Sequence, residues 1–172
     1  MVAGRDWAVE HLPFVDGSRC AMLGWSHRGL IAMMAVFDHP EKFKAAYAGV
    51  PVSDLLARLG YAGDEYKDEK VIRGLFGKTA TEDVALFRKR SPVWNVQKLK
   101  TPLLVHSTTN DRDVNVVEVE QLLRALKSAG KDVQSRIYTD APGGHSFNRI
   151  DTALAKESRR EIYEFLGRYL KP

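Results

Sequence analysis

The stretch "AMLGWSHRGL", residues 21–30, decides the fold. It opens as a short apolar run, as a buried strand does. It then passes through Gly24, Trp25, Ser26 and His27 into "GLIAMMAVFDHPEKF", residues 29–43, an apolar run of helical length punctuated by Pro40. A serine between such a strand and such a helix has two readings. It can cap the helix, because its hydroxyl accepts from an otherwise unpaired backbone N–H. Or it can be the nucleophile of a G-x-S-x-G turn, which pushes the serine oxygen out at the sheet edge. In that turn the next backbone N–H points at a developing oxyanion. Here the pentapeptide is Gly24-Trp25-Ser26-His27-Arg28, with arginine where the second glycine would stand. A small residue suits that place because the helix start packs tightly, so Arg28 must either escape sideways or distort the turn.

Outward from this stretch, strand and helix patterns alternate. "GRDWAVEHL", residues 4–12, has helical spacing and is broken by Pro13 and "DGS". "RCAMLGW" (19–25), "AAYAGV" (45–50), "TPLLVHS" (101–107) and "VQSRIYT" (133–139) read as strands. "NVVEVEQLLRALKSAG" (115–130) and "ALAKESRREIYEFLGRYL" (153–170) read as amphipathic helices, with "GGHSF" (143–147) as a loop between them. Residues 53–97 are charged and aromatic with no strong strand, and predict a helical, cap-like excursion. The alternation predicts an α/β fold of about four mainly parallel strands flanked by helices. Residues 1–172 read as one domain that contains the excursion.

Composition narrows the function. The chain has 172 residues, 44% hydrophobic and 28% charged, with a formal net charge of +4. Its cations are scattered, and the densest groups, Arg88-Lys89-Arg90 and Arg159-Arg160, have acidic neighbours. No aromatic platform interleaves them, which argues against nucleic acid. No apolar run has the length to cross a bilayer, so no membrane partner is expected. The first residues lack the layout of a signal peptide, so the expected compartment is the cytoplasm. Cys20 is the single cysteine, so no internal disulfide can form, and its apolar strand setting reads as core packing. No His/Cys/Asp cluster has metal-ligand spacing, so neither metal nor cofactor is expected.

A nucleophilic serine needs a histidine base, itself oriented by a carboxylate. Both occur downstream in the order Ser, Asp, His. "STTNDRDVN", residues 107–115, offers Asp111 and Asp113; "DAPGGHSF", residues 140–147, offers His145. Each follows a predicted strand, at the carboxyl edge where open parallel sheets place their sites. His106 ends a strand and is expected to bond a nearby loop. His11 and His39 read as surface residues.

These residues resemble the α/β-hydrolase catalytic domain of the prolyl oligopeptidase family, which includes serine peptidases, acyl-peptide-releasing enzymes and esterases. "GWSHRG" (24–29) is similar to its serine elbow, and "RSPVWNVQKLKTPLLVH" (90–106) to the segment leading into the next strand. "NDRDVNVVEVEQLLRALKSAGKDV" (110–133) and "APGGHSF" (141–147) resemble its aspartate block and histidine loop. The resemblance covers essentially the whole chain, as the C-terminal portion of the family domain. It implies Ser26 as nucleophile, His145 as general base and then acid, and Asp111 as orienting carboxylate, with Asp113 second. The backbone N–H of His27 would be one oxyanion donor. No substrate-binding residue is implied.

Arg28, Ser107 and Asn115 depart from the family pattern. In the family, further strands precede the nucleophile strand, and a loop among them supplies the second oxyanion donor. Loss of one such donor costs about 2.7–4 kcal/mol. Without those strands, Arg19–Trp25 would be an exposed apolar edge, the place for self-association or a complementing chain. The implied function is a serine hydrolase cleaving esters or short acyl-peptide bonds, with esters favoured. The alternative is a catalytically impaired remnant that serves as an assembly or binding module.

Overall fold

The computed structural model describes residues 1–171. Four strands, β1 (Ala21–Trp25), β2 (Ala45–Gly49), β3 (Leu103–Thr108) and β4 (Gln134–Tyr138), pair in that order. All three pairings are parallel. The helices are α1 (Val2–His11), α2 (His27–Asp38), α3 (Leu55–Tyr61), α4 (Asp64–Lys67), α5 (Glu69–Phe76), α6 (Val84–Lys89), α7 (Val116–Ser128) and α8 (Ala153–Leu170).

Successive side chains of a strand point to opposite faces, and β2 and β3 show both faces filled. Ala46, Ala48, Leu103 and Val105 pack with Met33 and Val36 of α2 and Val119 and Leu122 of α7. Ala45, Tyr47 and Leu104 pack with Ile162, Phe165 and Leu166 of α8. Helices on both faces explain why β2 and β3 read as continuous apolar runs rather than alternating ones. Each fully buried side chain of the size of Met33 or Phe165 contributes about 1.5–3 kcal/mol over exposure. The parallel order turns every strand's carboxyl end to one edge, where Ser26, the loop after β3 and the loop after β4 meet.

Three sequence expectations are corrected. Cys20 precedes β1 rather than lying in it; Arg19 belongs to a 3-10 turn, and Cys20 is half-buried against the core. The histidine segment is a 3-10 helix, Gly144–Arg149, not a plain loop. His106 does not bond a loop: it is wholly buried in β3, and its Nδ1 lies 3.0 Å from Ser158 Oγ on α8. The pleat sends His106 to the α8 face, between the rings of Tyr47 and Tyr138.

Burial, then the nearby Arg136 guanidinium, lowers the His106 pKa from 6.5 to about 4. Its Nε2 lies 3.3 Å from Glu161 but makes no hydrogen bond there. The unfolded chain therefore binds a proton at this residue between pH 6.5 and 4 that the folded chain excludes. Stability is full above the unfolded value and falls as the pH drops through this window, by about 3 kcal/mol in all. Urea midpoints measured from pH 8 to pH 4 will fall in this range, and His106→Gln will flatten that part of the slope.

β1 is an edge strand. Ser26 N–H donates to Gly49 O, so by the parallel alternation the backbone groups of Ala21, Leu23 and Trp25 face the open side. Leu23 is 50% exposed there.

Candidate active site

β1 ends at Trp25 and α2 begins at His27, so Ser26 alone makes the turn. Its φ of 60° and ψ of −125° form a strained pair for a residue with a side chain. Ser26 occupies the N-cap place of α2, yet its hydroxyl makes no capping hydrogen bond. The capping reading therefore fails: the backbone is strained while the hydroxyl is left uncommitted.

The turn's tight places fall on glycines. A Cβ on Gly24 would sit 1.9 Å from the Arg28 carbonyl oxygen, and one on Gly29 2.8 Å from Pro51 Cβ. Arg28 meets no such restriction. It is exposed and lies beside Leu23 and Arg149, so it escapes sideways and leaves the turn intact.

Gly143 and Gly144 have φ of 86° and 50°, and a Cβ on Gly144 would lie 3.2 Å from Asn110 O. This close approach carries His145 onto the loop after β3. Its Nδ1 lies 2.8 Å from Asp111 Oδ2 and 3.0 Å from Oδ1. The Asp111 carboxylate is buried and also accepts the N–H groups of Asp113 and Val114, at 2.8 and 2.9 Å. A carboxylate there holds the proton on Nδ1 and leaves the Nε2 lone pair free to accept. Asp113 is 68% exposed, with Oδ2 3.8 Å from Nε2, so it does not face Nδ1.

The structure thus brings Asp111 and His145 into contact. Among the described residues no hydrogen bond joins Ser26 Oγ to His145. The link between the two halves is Trp25, whose indole N–H donates to the His145 carbonyl at 2.9 Å. An indole at the end of a buried strand reads as core, so no sequence signal marked it.

His27 borders a cavity of about 320 Å3, walled by Leu55, Leu59, Ile72, Phe76 and Phe87. Burial, then the charge of Arg58, lowers the His27 pKa below its ordinary value. The excursion that builds this cavity is tied to the aspartate loop. Arg58 Nη1 donates to Asp113 O at 2.9 Å. The buried Glu118 carboxylate of α7 accepts from the N–H groups of Ser53 and Asp54 and from the Tyr61 hydroxyl. Burial pushes the Glu118 pKa up, and burial followed by its bond to Glu118 pushes the Tyr61 phenol up. Among the described residues no group of three or more His, Cys, Asp or Glu side chains is placed to hold a metal ion. No helix among them is long and apolar enough to cross a membrane.

Four parallel strands flanked by helices, with a sharp serine turn after the first, place the chain among the α/β-hydrolases. It belongs to the prolyl oligopeptidase family, whose model matches residues 1–172. It is 29% identical to an acylamino-acid-releasing enzyme of Arabidopsis thaliana, over 96% of this chain and 22% of that one. It is 30% identical to dipeptidyl peptidase 4 of Sus scrofa, over 92% of this chain and 19% of that one. An acylaminoacyl peptidase structure from Pyrococcus horikoshii superposes with a TM-score of 0.83 at 22% identity, over 99% of this chain and 27% of that one. The chain therefore spans about a fifth of the length of the curated relatives it matches.

Proposed function

We propose that this chain carries the acyl-transfer centre of a serine hydrolase acting on esters and short acyl-peptides with an apolar acyl group. The observation that carries the reading is the buried Asp111–His145 contact at 2.8 Å, on the same sheet edge as the strained Ser26. In the reaction His145 Nε2 takes the Ser26 proton as Oγ attacks the carbonyl carbon. The carbonyl electrons move onto oxygen, which the His27 backbone N–H stabilises. Collapse expels the leaving group, which takes the proton from His145. Water then repeats the sequence on the acyl-serine and releases the acid. Asp111 keeps the imidazole in its productive tautomer throughout.

The apolar cavity beside His27 suits an apolar acyl or side-chain group, and the excursion of residues 53–97 acts as its cap. Esters are favoured over amides because esters have the better leaving group and so ask less of the oxyanion donor, for which the described residues offer the His27 N–H. The matched relatives bear peptidase names, which supports short acyl-peptides as further substrates. The missing Ser26–His145 hydrogen bond favours a second reading, a binding module that has lost catalysis. Such bonds also tighten only with substrate bound, which keeps the first reading ahead.

A fluorophosphonate probe distinguishes the two. Labelling mapped to the Ser26 peptide supports catalysis; absence of label on folded protein sinks it. Leu75, 61% exposed at the cavity wall, tests the acyl site. Leu75→Asp is expected to lower kcat/KM for p-nitrophenyl octanoate by about ten-fold and to spare the acetate ester.

A further inference from the structure

The 3-10 helix that carries His145 is gripped at two points. Near its start the His145 carbonyl accepts the Trp25 indole N–H at 2.9 Å. One turn on, Asn148 is held by two adjacent residues of α8. Its side-chain N–H donates to Ser158 Oγ at 2.8 Å, and its carbonyl accepts from the Arg159 guanidinium. Ser158 Oγ in turn lies 3.0 Å from His106 Nδ1 on β3. We propose that His106, Ser158 and Asn148 form a hydrogen-bonded strut that positions His145 for the Ser26 reaction. This inference rests on the reading of His145 as the general base.

The donors of this strut run in one direction. The low pKa of His106 leaves its imidazole uncharged at neutral pH. Its Nε2 faces Glu161 Oε2 at 3.3 Å, so the ring proton belongs on Nε2, where a lone pair would meet the carboxylate's negative charge. Nδ1 is then an acceptor, and the Ser158 hydroxyl donates to it. The lone pairs of Ser158 are left to accept from Asn148. Tyr138 also reaches Ser158 and Glu161, from β4. His106 and Ser158 are fully buried, so a partner lost there is not replaced by water and costs about 1–3 kcal/mol. The acid and the base of the site are thus joined twice. One path is direct, from Asp111 to the imidazole. The other runs from β3, the strand that leads into the Asp111 loop, through His106 and Ser158 to Asn148. The second path fixes the histidine segment against β3 without using the imidazole, whose nitrogens stay available for the reaction. Placement matters at this scale, since a misplacement of 1 Å can cost about 100-fold in rate. None of the three residues touches the reacting atoms; they are positioning residues.

The test pairs kinetics with a signal that needs no turnover. Asn148→Ala and Ser158→Ala are each expected to lower kcat for p-nitrophenyl acetate about ten-fold per fluorophosphonate-titrated site, with KM within about two-fold of the parent. The double variant should lose about ten-fold as well, not a hundred-fold, because both changes break one link. The Trp25 indole N–H resonance, assigned in the full chain by elimination with Trp7→Phe and Trp94→Phe, reads the position of the His145 carbonyl. It should move upfield in both variants, whereas lower stability alone leaves the resonance of the folded protein in place. Asn148 is half-buried, so Asn148→Ala keeps the test open should Ser158→Ala fold poorly. An unmoved indole resonance overturns the strut, as does an unchanged kcat beside an active parent or a hundred-fold loss in the double variant. A parent without turnover would instead sink the reading of His145 as base, and the indole resonance then decides the strut by itself.

Discussion

Ser26→Ala is expected to cut turnover of p-nitrophenyl esters by about 10⁴- to 10⁶-fold while leaving the urea midpoint unchanged. On the proposed mechanism the rate falls because Ser26 Oγ is the atom that forms the acyl-enzyme. Stability holds because the Ser26 hydroxyl makes no capping hydrogen bond in the folded chain, and alanine meets the same φ of 60° with the same strain. A merely structural serine would give the opposite pattern, with stability lost and no rate to lose. Residual ester cleavage within ten-fold of the parent would sink the assignment of Ser26 as nucleophile.

The second large effect is structural. Gly24→Ala places a methyl group 1.9 Å from the Arg28 carbonyl oxygen, 2.3 Å from its carbon and 2.7 Å from Gly29 nitrogen. All three are backbone atoms of the first turn of α2, so no side chain can rotate away. The expected loss is about 3–5 kcal/mol, a large fraction of the 5–15 kcal/mol that holds a typical domain. Gly60→Ala is the control. It sits in α3, where an added methyl group would have nothing within 4 Å, and should gain about 0.5–1 kcal/mol from helix propensity. Urea titration of both variants checks the contrast. Equal midpoints would mean that α2 can shift away from β1 at little cost.

The parts of this molecule that were legible in the sequence are local. The strand–serine–helix order, the acids after β3 and the histidine after β4 each sit within one element or its adjoining loop, and period and punctuation revealed them. The choice between Asp111 and Asp113 was open on the residues alone, because both are loop acids two positions apart. Burial separates them: Asp111 gathers two backbone N–H groups and the imidazole, while Asp113 faces solvent. Contacts between distant segments left no pattern to read. Glu118 looks like a polar residue on an amphipathic helix, yet it is buried because the backbone at Ser53 and Asp54 needs an acceptor. His106 looked like the end of a strand and proved to be core, because α8 returns over that face from the far end of the chain.

Trp25 has a thermodynamic consequence. Its indole N–H donates to the His145 carbonyl, so one hydrogen bond ties the end of β1 to the segment that carries the imidazole. Any reversible ligand whose binding depends on where His145 sits is linked to that bond. By reciprocity, the factor by which the bond raises the ligand's affinity is the factor by which the ligand strengthens the bond.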